Sequence, residues 1–243
     1  MSRNVVIVPV YNEEQHVEGL LERLTQIHSG DVLFIDDGSS DCSPCVLKYL
    51  ESEKIKVISN KINQGYGITL ARGFKEVIAA RYDYAITMDS DGQHKPEWIP
   101  TFFEDVKNWD VVSGSRYLLE VAGNGQAPAD RKKINQSITA LINKRLGLSI
   151  TDAFCGFKAY NVSALAKLDL DEAGYAIPLQ FWVQVAKRGL TVHELPVSRI
   201  YDDPNRRFGH GLDDPEVRIL YYQEVFEREM SKVDRDLNTR VGL

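Results

Sequence analysis

The chain is expected to fold as an α/β protein, with a mostly parallel central sheet flanked by helices. Three observations lead there. Short apolar runs rich in β-branched residues recur through the first half, stretches with helical apolar spacing lie between them, and the runs are nearly continuous rather than alternating. Near-continuous apolar strands are those covered on both faces, and strands alternating with helices of this length make βαβ units, whose crossovers set the strands parallel.

The elements follow in order. "NVVIVPV" (4–10) is the first strand, and Val17, Leu20, Leu21 and Leu24 then share one helical face. "DVLFID" (31–36) is the second strand, "CSPC" (42–45) opens a helix, and "KIKVIS" (54–59) is the third strand. "NQGYG" (63–67) opens a helix whose inner face carries Leu70, Phe74, Val77 and Ile78; strands at "DYAITMD" (83–89) and "DVVSGS" (110–115) follow. After residue 115 the periodicity weakens: "LLEVAGNGQAPAD" (118–130) reads as a mobile loop before a helix near 131–146. Then come "DAFCGFKAYN" (152–161), a helix near 176–188, a strand at "TVHELPVSR" (191–199) and a polar stretch at 201–216. A tail helix over 216–238 carries an apolar stripe of Phe226, Met230, Val233 and Leu237. Its opposite face is mixed in charge rather than basic, which favours packing on the domain or on a second copy in a homodimer over lying on a membrane.

The 243 residues, 43% hydrophobic and 26% charged, suffice for a sizeable core. A net charge of −6 argues against general nucleic-acid binding. The opening "MSRNVVIVPV" reaches the charged "YNEE" too soon for a signal peptide, and no apolar run nears the roughly 18 residues of a membrane span. A cytoplasmic protein is expected. Cys42, Cys45 and Cys155 form no disulfide framework, and the lone "CSPC" has no second CxxC or nearby histidine to support redox chemistry.

In an open parallel sheet, ligands bind beyond the carboxyl ends of the strands. Those ends read "PVYNEE" (9–14), "DDGSSD" (36–41), "DSDGQH" (89–94) and "SGSRY" (113–117), and three of the four are rich in Asp, Glu, Asn or Ser. No G-x-G-x-x-G follows the first strand, no P-loop is present, and G-x-S-x-G is absent, which removes dinucleotide, P-loop and usual hydrolase readings. Asp89 and Asp91, two apart at a strand end, converge on one face. Carboxylates held about 4 Å apart repel by about 4 kcal/mol at an effective dielectric near 20, a cost a divalent cation offsets. With Gln93 as a further oxygen donor, Mg²⁺ or Mn²⁺ and a diphosphate suit such a site. Gly65 and Gly67 would let backbone approach a ligand closely. His94 is expected to pack nearby rather than to join the metal, whereas Asp37 and Asp41 can also serve as helix caps.

"VVIVPVYNEE", "FIDDGSSD", "NQGYGITLARG", "MDSDGQH", "SGSRY" and "ITDAFCGFKAYN", in this order and spacing, resemble the inverting family-2 glycosyltransferases of the GT-A fold. The branch most resembled is that of dolichol-phosphate and polyprenyl-phosphate mannose or glucose synthases, over roughly residues 4 to 200. The resemblance implies a GT-A catalytic domain over 1–200, followed by a C-terminal loop and amphipathic helix over 201–243. It further implies that Pro9, Tyr11, Asn12 and Glu13 line the nucleotide pocket and that Asp37 accepts a hydrogen bond from the base. Asp91 and Gln93 become the direct metal ligands beside Asp89, Arg116 and Arg131 hold phosphate groups of donor and acceptor, and Arg206 or Arg207 closes over the diphosphate. The stretch "NRRFGHGLDDPE" departs from that branch in lacking its Ser-Lys end, and His210 within it has no assigned role.

The implied reaction moves a hexose from a nucleotide sugar, GDP-mannose or UDP-glucose, to a polyprenyl phosphate at a membrane surface. A phosphate acceptor is already largely dianionic near neutrality and needs no general base. A hydroxyl acceptor needs one, and Asp152 is then the expected base. Two rivals are a nucleotidyltransferase, for which no early glycine-rich basic loop is present, and a non-catalytic nucleotide-sugar binding protein, which would have no reason to keep Asp91 and Arg116.

Overall fold

A computed structural model describes residues 2–119, 125–200 and 211–241, with side chains to 232 in the final helix. Arg206, Arg207, His210 and most of the 201–216 stretch lie outside the described residues, as do part of the 118–130 loop and the side chains of Val233 and Leu237. The chain runs β1 (Asn4–Val10), α1 (Val17–Ile27), β2 (Asp31–Asp36), α2 (Ser43–Leu50), β3 (Ile55–Ser59), α3 (Tyr66–Ala79) and β4 (Tyr84–Thr87). It continues through α4 (Ile99–Asp105), β5 (Val111–Ser115), α5 (Ala129–Leu146), β6 (Lys158–Asn161), α6 (Val162–Leu165), α7 (Ile177–Lys187), β7 (Val192–Pro196) and α8 (Pro215–Val241).

The strands form one seven-stranded sheet in the order β3-β2-β1-β4-β6-β5-β7. Every pairing is parallel except those of β6, which runs antiparallel to both β4 and β5. The mostly parallel sheet is therefore as expected, but the short reversed strand is not. Its four residues are too few to show a period of two, and their neighbours read equally as loop.

Helices cover both faces, as the continuous apolar strands require. Along β1, Val5 and Ile7 face a core layer shared with Leu70, Phe74 and Val77 of α3, while Val6 and Val8 face another shared with Leu20, Leu21 and Leu24 of α1. The period-2 alternation of strand side chains thus sends neighbours into opposite cores. The tail helix joins the first layer: Tyr222, Val225 and Phe226 of α8 are buried with Ile138 and Ile142 of α5 and Phe181 and Val185 of α7. Buried Glu229 fixes the packing by accepting hydrogen bonds from Gln180 at 3.0 Å and Gln184 at 2.8 Å. Among the described residues no helix is long and apolar enough to cross a membrane.

Because Phe226 is 1% exposed within this layer, Phe226→Ala is expected to cost about 3–5 kcal/mol in urea unfolding. A loss below about 1 kcal/mol would show that α8 lies outside the cooperative core.

Candidate active site

The carboxyl ends of the parallel strands open into a cleft of about 1080 Å³. Pro9, Tyr11, Asn12, Glu13, Asp37, Gly65, Asp89, Asp91, Gln93, Arg116 and Arg131 all line it, whereas Gly67 and Asp152 do not. Six segments far apart in sequence therefore meet where the sheet topology brings them.

One wall joins the ends of β1 and β2. Asn12 adopts a left-handed conformation (φ 56°), donating its N–H to Ser39 Oγ at 2.9 Å and accepting at Oδ1 from the Ser40 N–H at 2.8 Å. Glu13 is buried, donates its N–H to Ser43 Oγ, and lies 2.7 Å from His16 Nδ1. Asp41, just before the Cys42 N-cap of α2, accepts from Ser43 N–H at 2.9 Å and Glu14 N–H at 3.1 Å. Asp37 does not cap α2. Its carboxylate accepts from Asn60 Nδ2 (2.7 Å), Gln64 N–H (2.8 Å) and Gly65 N–H (2.9 Å), which fixes the start of α3 beside the cleft. Cys42 and Cys45 are exposed and unbridged, and the Glu14 carboxylate pushes the Cys42 thiol up, which opposes redox reactivity.

The two glycines at the start of α3 serve a different approach from the one expected. A Cβ on Gly67 would sit 2.0 Å from the carbonyl oxygen of Glu172, and one on Gly65, at φ 96°, would sit 2.5 Å from that of Ala173. What comes close is the chain's own 172–174 segment, to which Gly67 also donates its N–H at 2.8 Å. That segment is held by α8, because Glu172 accepts from Tyr221 Oη at 2.6 Å and is paired with Arg228.

The acid pair lies just past β4, which ends at Thr87, so a turn rather than an extended strand brings both carboxylates to the cleft. Ser90 Oγ ties this turn to β1 by donating to the Pro9 carbonyl at 3.0 Å, and Asp91 Oδ1 accepts from the Gln93 N–H at 3.0 Å. Asp89 Oδ1 accepts from Tyr66 Oη at 2.9 Å, and burial together with Asp89 pushes that phenol well up. His94 Nδ1 accepts the Asp89 N–H at 3.0 Å, so its proton is assigned to Nε2; the buried ring stacks on Phe157 at 5.2 Å, the packing role expected of it. Gly156 lets the chain pass beneath, since a Cβ there would meet Asp89 Oδ2 at 2.8 Å. The described residues hold no group of three or more His, Cys, Asp or Glu able to enclose a metal. Two carboxylates and an amide on an open wall instead fit a hard divalent ion that shares its shell with water and substrate phosphates.

Asp152 requires a correction. It is fully buried, and it accepts from Arg116 Nε at 2.7 Å, Arg116 NH2 at 2.9 Å, Asn135 Nδ2 at 2.7 Å, Phe154 N–H at 3.1 Å and the Arg116 N–H at 3.2 Å. Burial alone would raise its carboxyl, but the Arg116 charge and these bonds hold it down at about 2. A carboxylate so held and walled off from the cleft is no general base; it orients Arg116, which does line the cleft. Sequence reasoning also missed Tyr66, Glu172, Arg218, Tyr221 and Tyr222 in the cleft wall. The "RILYY" cluster at 218–222, an arginine followed closely by two adjacent tyrosines, was the available signal.

The chain is similar to known proteins. The sequence model of glycosyl transferase family 2 matches residues 5–169. The undecaprenyl-phosphate mannosyltransferase of Micrococcus luteus is 31% identical over 204 residues, covering 81% of this chain and 83% of that protein. The polyprenol monophosphomannose synthase of Mycolicibacterium smegmatis is 29% identical over 210 residues, covering 81% and 77%. Glucosyl-3-phosphoglycerate synthase from Mycobacterium tuberculosis, solved with Mn²⁺, UDP and glucosyl-3-phosphoglycerate, superposes with a TM-score of 0.63 at 17% identity, over 100% of this chain and 81% of that one. The last likeness is one of fold.

The Asp152 carboxyl lies lower in the folded chain than its unfolded value near 3.9, so its stabilisation is complete above that pH and lost as pH falls through about 2. Unfolding free energy is expected to drop by about 2 kcal/mol over that window, a component missing from Asp152→Asn. At pH 7 the same variant, by stranding Arg116, should cost roughly 3 kcal/mol or more; equal acid profiles for the two proteins would refute the pairing.

Proposed function

The chain belongs to glycosyl transferase family 2 and is a glycosyltransferase, and we propose that it moves a hexose from a nucleotide-diphosphate sugar, GDP-mannose or UDP-glucose, to a polyprenyl or dolichyl phosphate. The observation that carries the acceptor class is the burial of Asp152. The base that a hydroxyl acceptor would need is bound up with Arg116, whereas a phosphate acceptor needs none. The names of the Micrococcus and Mycolicibacterium relatives support the same class.

In this reading the nucleoside lies along the wall made by Pro9, Tyr11, Asn12 and Glu13, with Asp37 available to the base from a fixed position. Asp89, Asp91 and Gln93 would hold Mg²⁺ or Mn²⁺, which supplies charge neutralisation for the departing diphosphate. Tyr66 keeps Asp89 oriented through its 2.9 Å hydrogen bond. Arg116, locked by Asp152, presents a guanidinium whose position does not need to reorganise as negative charge shifts onto the leaving group. Arg131, part-exposed on α5, faces the same cleft and suits acceptor phosphate, while its neighbours Lys132 and Lys133 are exposed. Inversion follows from in-line attack by an acceptor oxygen on the anomeric carbon, so catalysis rests on positioning and electrostatics. The enzyme would meet its lipid acceptor peripherally, from the cytoplasmic face of the membrane.

Purified protein supplied with GDP-mannose or UDP-glucose and Mg²⁺ or Mn²⁺ is expected to transfer sugar only when a short polyprenyl phosphate is added. Transfer to a saccharide hydroxyl with the lipid phosphate inert would overturn the acceptor assignment. Asp91→Ala is expected to abolish Mn²⁺-dependent donor binding in calorimetry, and unchanged affinity would remove Asp91 from the metal site.

A further inference from the structure

Helix α8 lies beyond the family match, which ends at residue 169, and where it meets α5 the cleft contains a group with no evident occupation. Tyr222 is 3% exposed, with its ring packed on Phe154 at 4.8 Å and on Tyr221 at 5.8 Å. Among the described residues its hydroxyl has no hydrogen-bond partner. Buried hydroxyls are rarely left so. It is not sealed away either: the side-chain oxygen that is cut off from both solvent and partner among the described residues is Asn4 Oδ1, and Tyr222 lines the cleft. Burial pushes the phenol up to about 12, so the hydroxyl keeps its proton at working pH. Arg218 precedes Tyr222 by four residues on α8, which puts the two on one helical face, and Arg131 adjoins Asp130, the residue that Arg218 binds.

Those two arginines line the cleft beside it. Arg218, itself 3% exposed, is set in place by Asp130 Oδ2 at 2.7 Å and the Leu212 carbonyl at 3.1 Å, which ties the start of α8 to the start of α5. Two guanidinium groups and a protonated phenol, all donors, line the cleft from two helices. That set matches an anion with three oxygens and two charges better than a carboxylate. Ile134, Phe154, Pro178 and Leu212 line the same cleft and offer apolar surface to whatever the anion is attached to.

We propose that Tyr222 and Arg218 of α8, with Arg131 of α5, form a phosphate-monoester subsite in which the Tyr222 hydroxyl donates to a phosphate oxygen of the acceptor. The subsite rests on the proposed function for its role as the acceptor site, but its anion-binding chemistry does not depend on transfer. The C-terminal helix is thereby a binding element as well as a structural one. A lipid phosphate and a small soluble phosphate monoester share the chemistry, so both serve as probes.

Calorimetry with farnesyl phosphate and with glycerol phosphate, alongside transfer kinetics, separates the possibilities. Tyr222→Phe removes one oxygen that has no partner in the protein, so the melting temperature and the Mn²⁺-dependent donor affinity should not move. Affinity for the phosphate monoester should fall roughly tenfold or more, with a matching rise in acceptor KM. Arg218→Gln should weaken it further, with the melting temperature reporting any loss of the Asp130 tie. Binding of farnesyl phosphate alone identifies a lipid headgroup, and equal binding of glycerol phosphate a soluble acceptor; either supports the subsite. Unchanged monoester affinity in Tyr222→Phe overturns it, even if lipid-dependent transfer is intact. Wild-type binding that is lost in Tyr222→Phe, without transfer to any phosphate, keeps the subsite and refutes the functional reading.

Discussion

The Arg116–Asp152 pair is the interaction around which the second half of the chain is arranged. Taking two charges out of water costs several kcal/mol each, and the attraction between them repays this only when the remaining hydrogen-bonding positions are filled. Here they are filled by Asn135 from α5 and by backbone N–H groups of residues 116 and 154. The end of β5, the first turns of α5 and the loop entering β6 are thus held to one carboxylate. None of the three can shift without leaving a buried charge underserved. The rigidity that results is what a site depending on fixed charge needs.

A second lock works in the same way on the opposite half of the cleft. Glu172 is held by Tyr221 and Arg228 of α8, and the adjoining Ala173 carbonyl receives the N–H of Gly67 at the start of α3. Asp37, on β2's end, grips the preceding residues of the same turn. The last helix is therefore connected through two short contacts to the wall that borders the first two strands. The carboxylates lining the cleft each meet a defined partner: Glu13 lies against His16, Asp37 accepts from Asn60, Asp89 from Tyr66 and Asp91 from the Gln93 N–H, and Glu172 pairs with Arg228.

The first half of the fold was legible because its signals are local. Apolar runs and helical spacing marked β1 to β5, and the strand-end motifs pointed to the edge where the cleft lies. The reversed β6 was not legible, since four residues carry no readable period and their direction is decided by which neighbours accept them. Asp152 was misread for a related reason: sequence marks a carboxylate but not whether water reaches it. The glycines at 65 and 67 read as letting backbone approach a ligand, whereas what comes close is a segment more than one hundred positions away, which no local pattern names. The "RILYY" cluster marks two adjacent tyrosines, but nothing in it reveals which one carries an unanswered hydroxyl.

The direction of β6 has a consequence for how such a site is bordered. A parallel strand reaches the cleft edge only with the residues that follow it, and its return requires a crossover on the sheet's face. A strand laid in the opposite sense arrives at that edge with the residues that precede it, as Lys158 sits opposite Thr87 and Gly156 lies against Asp89. The approach loop at 151–157 is thus exempt from crossover geometry. Its own contacts hold it instead: Asp152 is bound to Arg116, the Trp182 indole donates to the Ala153 carbonyl at 2.9 Å, and Gly156 leaves room for Asp89, so this border of the site is fixed by packing rather than by chain connection.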